Sequence, residues 1–293
     1  MNYYELFKTD FFTGLSNLTK KIWKKVLLAY AIYYVSSMVL AGIFALIAFM
    51  GVVDLNMFSD MVGSSSPEDS LLMIEYITEM LMTPEFLVSL IILMIIIIIL
   101  ASWNYLFAFL ACDSEVKDER YNFTQLFKLS FSVQVFKFAG VMFLLNIIIA
   151  TLFVIAAFSA SFSIWLAVLL FLMVCVLSTR FLLVIPAYVI GNYDFGSSFA
   201  FSFYHINWPR AFKIFGIMFL GMLVIFGVSF LIGLISMAFS FIPLLGSFIQ
   251  MGINVLLSAT MMAVSVGALV GLYYRYADGS TTIPTEEESP STL

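Results

Sequence analysis

The chain has 293 residues, of which 63% are hydrophobic and 11% are charged, and its net charge is −5. A soluble domain carries about 25% charged and about 45–50% apolar residues, so a water-soluble core of this length could not bury the apolar excess. The composition therefore excludes a soluble globular protein and predicts a membrane protein. It also argues against nucleic acid as a partner, because there is no basic patch on a soluble domain.

Six apolar segments are long enough to cross a bilayer as helices, which takes about 20 residues each. We number them spans 1 to 6; they cover about residues 26–53, 86–111, 138–158, 164–185, 214–239 and 248–274. The predicted fold class is all-α, a polytopic membrane protein with residues 1–276 as a single membrane domain. The acidic, polar tail 277–293 is predicted to be disordered.

The first 25 residues are amphipathic. Apolar side chains recur at helical spacing, and four lysines follow them: Tyr4, Phe7, Phe11, Leu15 and Leu18, then Lys20, Lys21, Lys24 and Lys25. A basic amphipathic helix of this kind lies in the membrane interface. The alternative is a plain positively charged anchor for span 1. The apolar run after Lys25 is too long for a signal-peptide core, so we expect an uncleaved first span.

An acidic segment, residues 54–85, separates spans 1 and 2 and contains no Lys or Arg. Within it Ser66 is a candidate N-cap, Pro67 a first helical residue, and Glu68 and Asp69 acidic residues of a first turn. The pattern predicts a short acidic helix that ends near Thr83 and packs on the protein.

Phe-rich amphipathic pieces with basic ends precede spans 1, 3 and 5 and predict cytoplasmic elbow helices. The three junctions read KIWKKVLLAY, VQVFKFAGVM and RAFKIFGIMF, and the last two align well. We interpret them as a possible threefold repeat of an elbow helix plus a helical hairpin. The alternative is that any helix starting at the cytoplasmic face acquires an aromatic and basic collar.

The distribution of charge predicts the orientation. With six spans and a cytoplasmic N-terminus, all 13 Lys and Arg residues lie on the inner side, and the outer loops carry only acids. The positive-inside rule therefore favours an inner (plasma) membrane protein with both termini in the cytoplasm.

Five positions carry a resemblance to a known family: Arg180 late in a span, Pro186, Gly196 and Ser202 in an amphipathic piece, and Lys213 opening the next span. In this pattern the chain resembles the bacterial glycerophosphoryl diester phosphodiesterase membrane-domain family. The resemblance implies a six-span inner-membrane module, fused in some members to a soluble catalytic domain. No stretch of this chain has the composition of that domain, so the resemblance transfers no catalytic residues.

Arg180 is the main candidate for a functional side chain, because a charged residue inside a span is costly. Its planar guanidinium suits a phosphate headgroup or another anionic ligand at the inner leaflet. Lys137, Arg210 and Lys213 are candidate ligand-binding residues at the same level. The alternative is that Arg180 reaches the interface or bonds helix-end carbonyls or Asp194.

Polar side chains inside the spans are a second candidate set. Gln250, Asn254 and Ser258 share one face of span 6, and we expect them, with Asn146, to be interior, either lining a polar cavity or bonding between helices. Asn104 and Thr151 are further candidates. The same span carries Ala259, Ala263, Gly267 and Gly271, a row of small residues that predicts close helix contact.

No enzyme is predicted, since no acid, base or nucleophile set is apparent. Cys112 and Cys175 are interpreted as buried thiols, His205 as an interfacial side chain, and no cofactor or metal site is expected. Two functions remain open: a module that binds or moves a lipid or amphiphile, and a scaffold or regulatory partner of other membrane proteins. The expected partners are membrane lipids and, for a scaffold, proteins within the membrane.

Overall fold

The computed structural model describes residues 3–52, 83–119, 121–239 and 245–276, and nearly all of them are helical. We number the helices of these ranges in chain order. They are α1 (Tyr3–Thr9), α2 (Phe11–Val52), α3 (Pro84–Val116), α4 (Phe123–Ser130), α5 (Val133–Phe158), α6 (Ile164–Thr179), α7 (Val184–Val189), α8 (Phe195–His205), α9 (Trp208–Phe239) and α10 (Leu245–Tyr276).

Within the described ranges, six helical segments are long and apolar enough to cross a membrane, which confirms the all-α, six-span prediction. Five of them correspond to the single helices α2, α3, α5, α9 and α10, and the sixth consists of α6 together with α7. Several helices extend beyond the predicted spans: the 42 residues of α2 would measure about 63 Å, against a hydrocarbon core of about 30 Å. Hydropathy marks the lipid-embedded part of a helix, whereas backbone hydrogen bonding continues past it.

The amphipathic pieces before spans 1, 3 and 5 contain the short helices α1, α4 and α8. Each is followed by a capping residue that starts the next long helix. Asp10 Oδ1 accepts from Thr13 N at 3.2 Å, Ser132 Oγ from Gln134 N at 3.3 Å, and Asn207 Oδ1 from Arg210 N at 3.2 Å. These caps end the elbow helices earlier than predicted, so Lys137, Arg210 and Lys213 belong to α5 and α9.

The N-terminal amphipathic face packs on the protein, and its position in the membrane interface stays a prediction. Residues 11–25 are continuous with span 1 in α2, and Phe7 and Leu18 are fully buried. A Cβ on Gly271 would lie 2.7 Å from Phe7, and one on Gly267 would lie 3.1 Å from Leu15. The predicted close contact along the small residues of α10 is therefore confirmed, with α1 and α2 as its partners.

Span 4 is interrupted, which differs from the continuous span predicted for residues 164–185. Helix α6 ends at Thr179, four residues form a turn, and α7 then begins at Val184. Pro186 lies in the first turn of α7, where the missing N–H of proline costs no helical hydrogen bond. Continuing α6 through Pro186 would have produced a clash with the carbonyl four residues earlier, so the break before it has a direct steric reason.

The buried core lies toward the end of the bundle where α2, α5 and α9 begin and where α3, α7 and α10 end. We call this the basic end, because Lys25, Lys137, Arg210 and Arg275 lie there. Its largest buried side chains include Trp103, Phe107, Phe109 and Phe138. Toward the other end the apolar side chains are largely exposed, and no residue of the most apolar part of α9 is buried. Such surfaces suit contact with lipid.

Ion pairs and hydrogen bonds join α2, α3 and α10 at the basic end. Glu115 lies 3.4 Å from Lys25 and 3.7 Å from Lys21, measured between charged atoms. Asp113 accepts a hydrogen bond from the Tyr274 hydroxyl and pairs with Lys117 at 2.9 Å. The three helices are thereby held in register at this end.

Three sequence predictions have no structural outcome. The acidic helix near residues 66–83 and the tail 277–293 lie essentially outside the described residues. The threefold repeat stays a prediction, although the short-helix and long-helix junctions recur three times.

Candidate functional site

The side chain of Arg180 caps a neighbouring helix. Its Nε donates to the carbonyl of Ile206 at 2.9 Å, and its Nη2 donates to the carbonyl of Phe203 at 3.0 Å. The guanidinium also lies over the rings of Phe203, at 4.2 Å from the centroid, and Trp208, at 5.1 Å. These carbonyls stand at the C-terminal end of α8, where a helix leaves acceptors without intrahelical donors.

Ser202 completes this junction from the opposite side. Its hydroxyl donates to the carbonyl of Arg180, and it accepts from the backbone N–H of Leu183 at 3.2 Å. Ser202 is fully buried, and both of its partners are backbone groups of the break between α6 and α7. The break and the end of α8 therefore satisfy each other's backbone groups, which makes Arg180 and Ser202 a structural pair.

Helix-end carbonyls are thus the partners of Arg180, which is one of the alternatives that the sequence left open. The half-buried guanidinium has three N–H donors beyond the two in these bonds. A ligand contact by Arg180 remains a prediction and would have to use those donors.

Among the other basic candidates, Arg210 also bonds the C-terminal end of α8. Arg210 donates from Nη1 to the carbonyl of His205 at 2.8 Å and lies over the ring of Tyr276, 5.3 Å from its centroid. Lys213 is exposed on α9. His205 bonds within α8, with Nδ1 at 2.9 Å from the carbonyl of Phe201.

Lys137 lines a cavity of about 360 Å³ at the basic end, between α3, α5, α7 and the loop that leads to α8. The lining of the cavity is mixed, with both apolar and polar residues. Leu106, Phe138 and Val189 are apolar lining residues. The polar lining includes Gln134, Lys137, Tyr188, Asn192 and Asp194. Because most of these polar residues are exposed, the cavity is open to the surface.

A tightly built loop, residues 190–194, positions the polar rim of the cavity. A Cβ on Gly191 would lie 2.7 Å from the Ala187 carbonyl oxygen and 2.7 Å from the Tyr273 hydroxyl, so only glycine fits. Asn192 has a φ of 54°, a left-handed conformation that asparagine tolerates better than most residues. The loop therefore has little freedom to move Asn192 and Asp194.

Asp194 is fixed as the N-cap of α8. Its Oδ2 accepts from Ser197 N at 3.2 Å, and its Oδ1 accepts from the Ser197 hydroxyl. These hydrogen bonds, the side-chain bond first, lower the pKa of Asp194 below its usual value. The carboxylate is therefore charged at neutral pH, and it shares the cavity with the ammonium of Lys137.

The predicted interior polar residues are not brought together. Gln250 and Asn254 are exposed and Ser258 is half-buried, on a different face of α10 from the buried small residues. Asn146 is exposed and donates to the Met142 carbonyl of its own helix at 2.8 Å. Whether these side chains line a water-filled space stays a prediction.

The two further polar candidates, Asn104 and Thr151, bond different kinds of partner. Asn104 is buried and donates from Nδ2 to the sulfur of Met262 at 3.2 Å. Thr151 bonds the carbonyl of Ile147 in its own helix at 2.8 Å.

Sequence reasoning missed most of the cavity. It singled out Lys137 but not Gln134, Tyr188 or Asn192, and it considered Asp194 only as a partner for Arg180. One signal was available: an Asp three residues before a Ser, following Gly191, matches an N-cap after a turn. The contribution of Gln134 had no such signal, because it depends on how α5 is rotated.

Neither a protein-family model, nor a curated protein, nor a solved structure matches this chain significantly. The geometry of the cavity and of the Arg180–Ser202 junction is therefore the basis for considering function.

Proposed function

We propose that this chain is a non-catalytic integral membrane protein that binds the phosphate-bearing headgroup of a lipid or similar amphiphile. The site is the cavity of about 360 Å³ at the basic end. In this proposal the basic end faces the cytoplasm, as the positive-inside rule favours. The observation that carries the proposal is the placement of Lys137 in a cavity whose lining also includes the apolar residues Leu106, Phe138 and Val189. An ammonium in a partly apolar cavity suits a charged headgroup attached to acyl chains.

The contacts of Lys137 support this role. Within the described part of the chain Lys137 forms no ion pair or hydrogen bond, whereas Lys21, Lys25 and Lys117 are paired with carboxylates. An ammonium without a protein partner is available to a ligand. Exposed apolar side chains adjoin it: Phe136 is 60% exposed and Val133 is 71% exposed, so acyl chains would have apolar surface beside the headgroup.

The resemblance to the glycerophosphoryl diester phosphodiesterase membrane-domain family and the asymmetry of positive charge support the same placement. In this proposal Arg180 caps the C-terminal end of α8, and Lys137 contacts the ligand. Arg210 and Lys213 lie at the same end and raise the local positive potential that attracts anionic groups.

The test is a comparison of Lys137→Gln with Lys128→Gln. Lys128 is an exposed lysine of α4 that does not line the cavity, so the two variants change the net charge equally. Delipidated protein is titrated with short-chain phospholipids in detergent, and bound lipid is counted by native mass spectrometry.

Loss of a charged hydrogen bond to phosphate, about 1.5–3 kcal/mol, should weaken binding to Lys137→Gln at least about tenfold. Lys128→Gln should bind as the unmodified protein does. Equal affinity in all three proteins would refute the proposal. It would leave the second function, a scaffold for other membrane proteins, as the better account.

A further inference from the structure

The cavity at the basic end contains two opposite charges that do not neutralise each other. Lys137 on α5 and Asp194 at the start of α8 both line it, yet they form no ion pair in the described part of the chain. Side chains that share a cavity and carry opposite charges usually approach each other unless something holds them apart. Here Asp194 is held by its bonds to Ser197.

Asp194 keeps capacity to bind a further donor. An ionised carboxylate has about four acceptor positions, and Ser197 uses two of them, one on each oxygen. Asp194 is exposed on the cavity side of the loop, so its remaining acceptors are not buried in the core. An ammonium group is the natural donor for this site, because it carries three N–H bonds and the complementary charge.

We infer that the cavity selects a zwitterionic headgroup, in which a phosphate contacts Lys137 and an ammonium contacts Asp194. This inference rests on the proposed function and specifies the chemical class of the ligand. A ligand with only negative charge would meet repulsion from Asp194, and a ligand with only positive charge would meet repulsion from Lys137. A headgroup that carries one negative and one positive group, with no net charge, can pair with both side chains.

Neutral groups of the cavity fit the remaining atoms of such a headgroup. Gln134, Asn192 and Tyr188 line the cavity and offer N–H and O–H donors, which suit the oxygens of a phosphodiester. Asn192 is held in place by its left-handed backbone next to Gly191. The apolar lining, Leu106, Phe138 and Val189, faces the part of the ligand that leads to its acyl chains.

The experiment uses full-length protein in detergent and three probes: short-chain phosphatidylethanolamine, short-chain phosphatidylglycerol, and soluble phosphoethanolamine without acyl chains. The key variant is Asp194→Asn. Asparagine caps helices as well as aspartate does, so the variant removes the charge and keeps the cap. Asp118→Asn is the matched control, because Asp118 is exposed outside the cavity and its φ of 57° suits asparagine.

The unmodified protein should bind the ethanolamine lipid about fivefold more tightly than the glycerol lipid, as expected for one solvent-accessible charge pair. Asp194→Asn should bring the ratio of the two affinities to about one, mainly by weakening the binding of the ethanolamine lipid. Asp118→Asn should retain the preference. Lys137→Gln should weaken the binding of both lipids.

Each outcome distinguishes this inference from the proposed function. A ratio of one in the unmodified protein, or a preference that survives Asp194→Asn, overturns the inference even if Lys137→Gln weakens binding. If Lys137→Gln has no effect, the proposed function itself fails. Soluble phosphoethanolamine that binds as tightly as the lipid would support the headgroup chemistry and overturn a lipid as its source.

Discussion

Replacing Arg180 with lysine tests whether the guanidinium holds α8 in place. Lysine keeps the positive charge but loses the planar fork that reaches two carbonyls at once. The native side chain bonds Ile206 at 2.9 Å and Phe203 at 3.0 Å, and it stacks on the Phe203 ring at 4.2 Å. A point charge on a flexible stem can replace at most one of these two bonds.

The expected cost follows from these contacts. A hydrogen bond from a charged donor contributes about 1.5–3 kcal/mol, and a cation–π contact at an exposed site contributes about 0.5–1 kcal/mol. Losing one bond and the stacking geometry should lower the free energy of unfolding by about 2–4 kcal/mol in Arg180→Lys. Arg180→Gln, which also loses the charge, should cost somewhat more.

The assay is reversible unfolding in mixed micelles by titration with dodecyl sulfate, followed by circular dichroism. Lys213→Gln is the control for Arg180→Gln, because Lys213 is exposed and the change in charge is equal. The control should change stability by less than about 0.5 kcal/mol. If Arg180→Lys is as stable as the Lys213→Gln control but no longer binds lipid, then Arg180 is a ligand contact and the capping argument is wrong.

Gly271 and Gly216 make a matched pair of test positions in α10 and α9. A Cβ on Gly271 would lie 2.7 Å from a phenylalanine ring of α1, so Gly271→Ala should cost about 1–3 kcal/mol. Gly216 has nothing within 4 Å of that point, so Gly216→Ala should be neutral or stabilise by up to about 1 kcal/mol. Equal effects on dodecyl sulfate unfolding would contradict this packing. Ser130→Ala should cost about 1–3 kcal/mol in the same assay, because it leaves the buried indole N–H of Trp103 without its acceptor at 2.9 Å. The helix-capping hydrogen bonds of Asp194 lower its pKa, so its charge is lost only as the pH falls through that lowered value. The preference for an ethanolamine headgroup should therefore be the same at about pH 7 and about pH 5. A preference that is present at about pH 7 and lost at about pH 5 would show that a group with a higher pKa than Asp194 carries the ammonium contact.

Some features of the fold could be predicted because they belong to single segments. Transfer of a helix into lipid depends on its own side chains, so hydropathy placed six spans before any contact was known. The row of small residues from Ala259 to Gly271 predicts a close helix contact in the same way, since small side chains at helical spacing let two helices approach closely. The sequence did not reveal that α1 and the start of α2 occupy that row.

The bounds of the elbow helices show where local reasoning was incomplete. Charge and Phe content suggested elbows that run to Lys137 and Lys213, but Ser132 and Asn207 cap new helices before those lysines. The capping residues Ser132 and Asn207 are visible in the sequence. The aromatic and basic pattern continues past them, however, and therefore predicted longer elbow helices. Pro186 likewise gave a readable reason for the break in span 4.

The sequence by itself determined that the chain is a six-span helical protein, that its positive charge is confined to one end, and that Arg180 is unusual. Only the tertiary structure decided what Arg180 touches and that Lys137 and Asp194 line one cavity. These side chains lie on separate elements, and their proximity depends on how each helix is rotated, tilted and broken. Rotation and tilt come from packing between helices, which no single segment of sequence encodes.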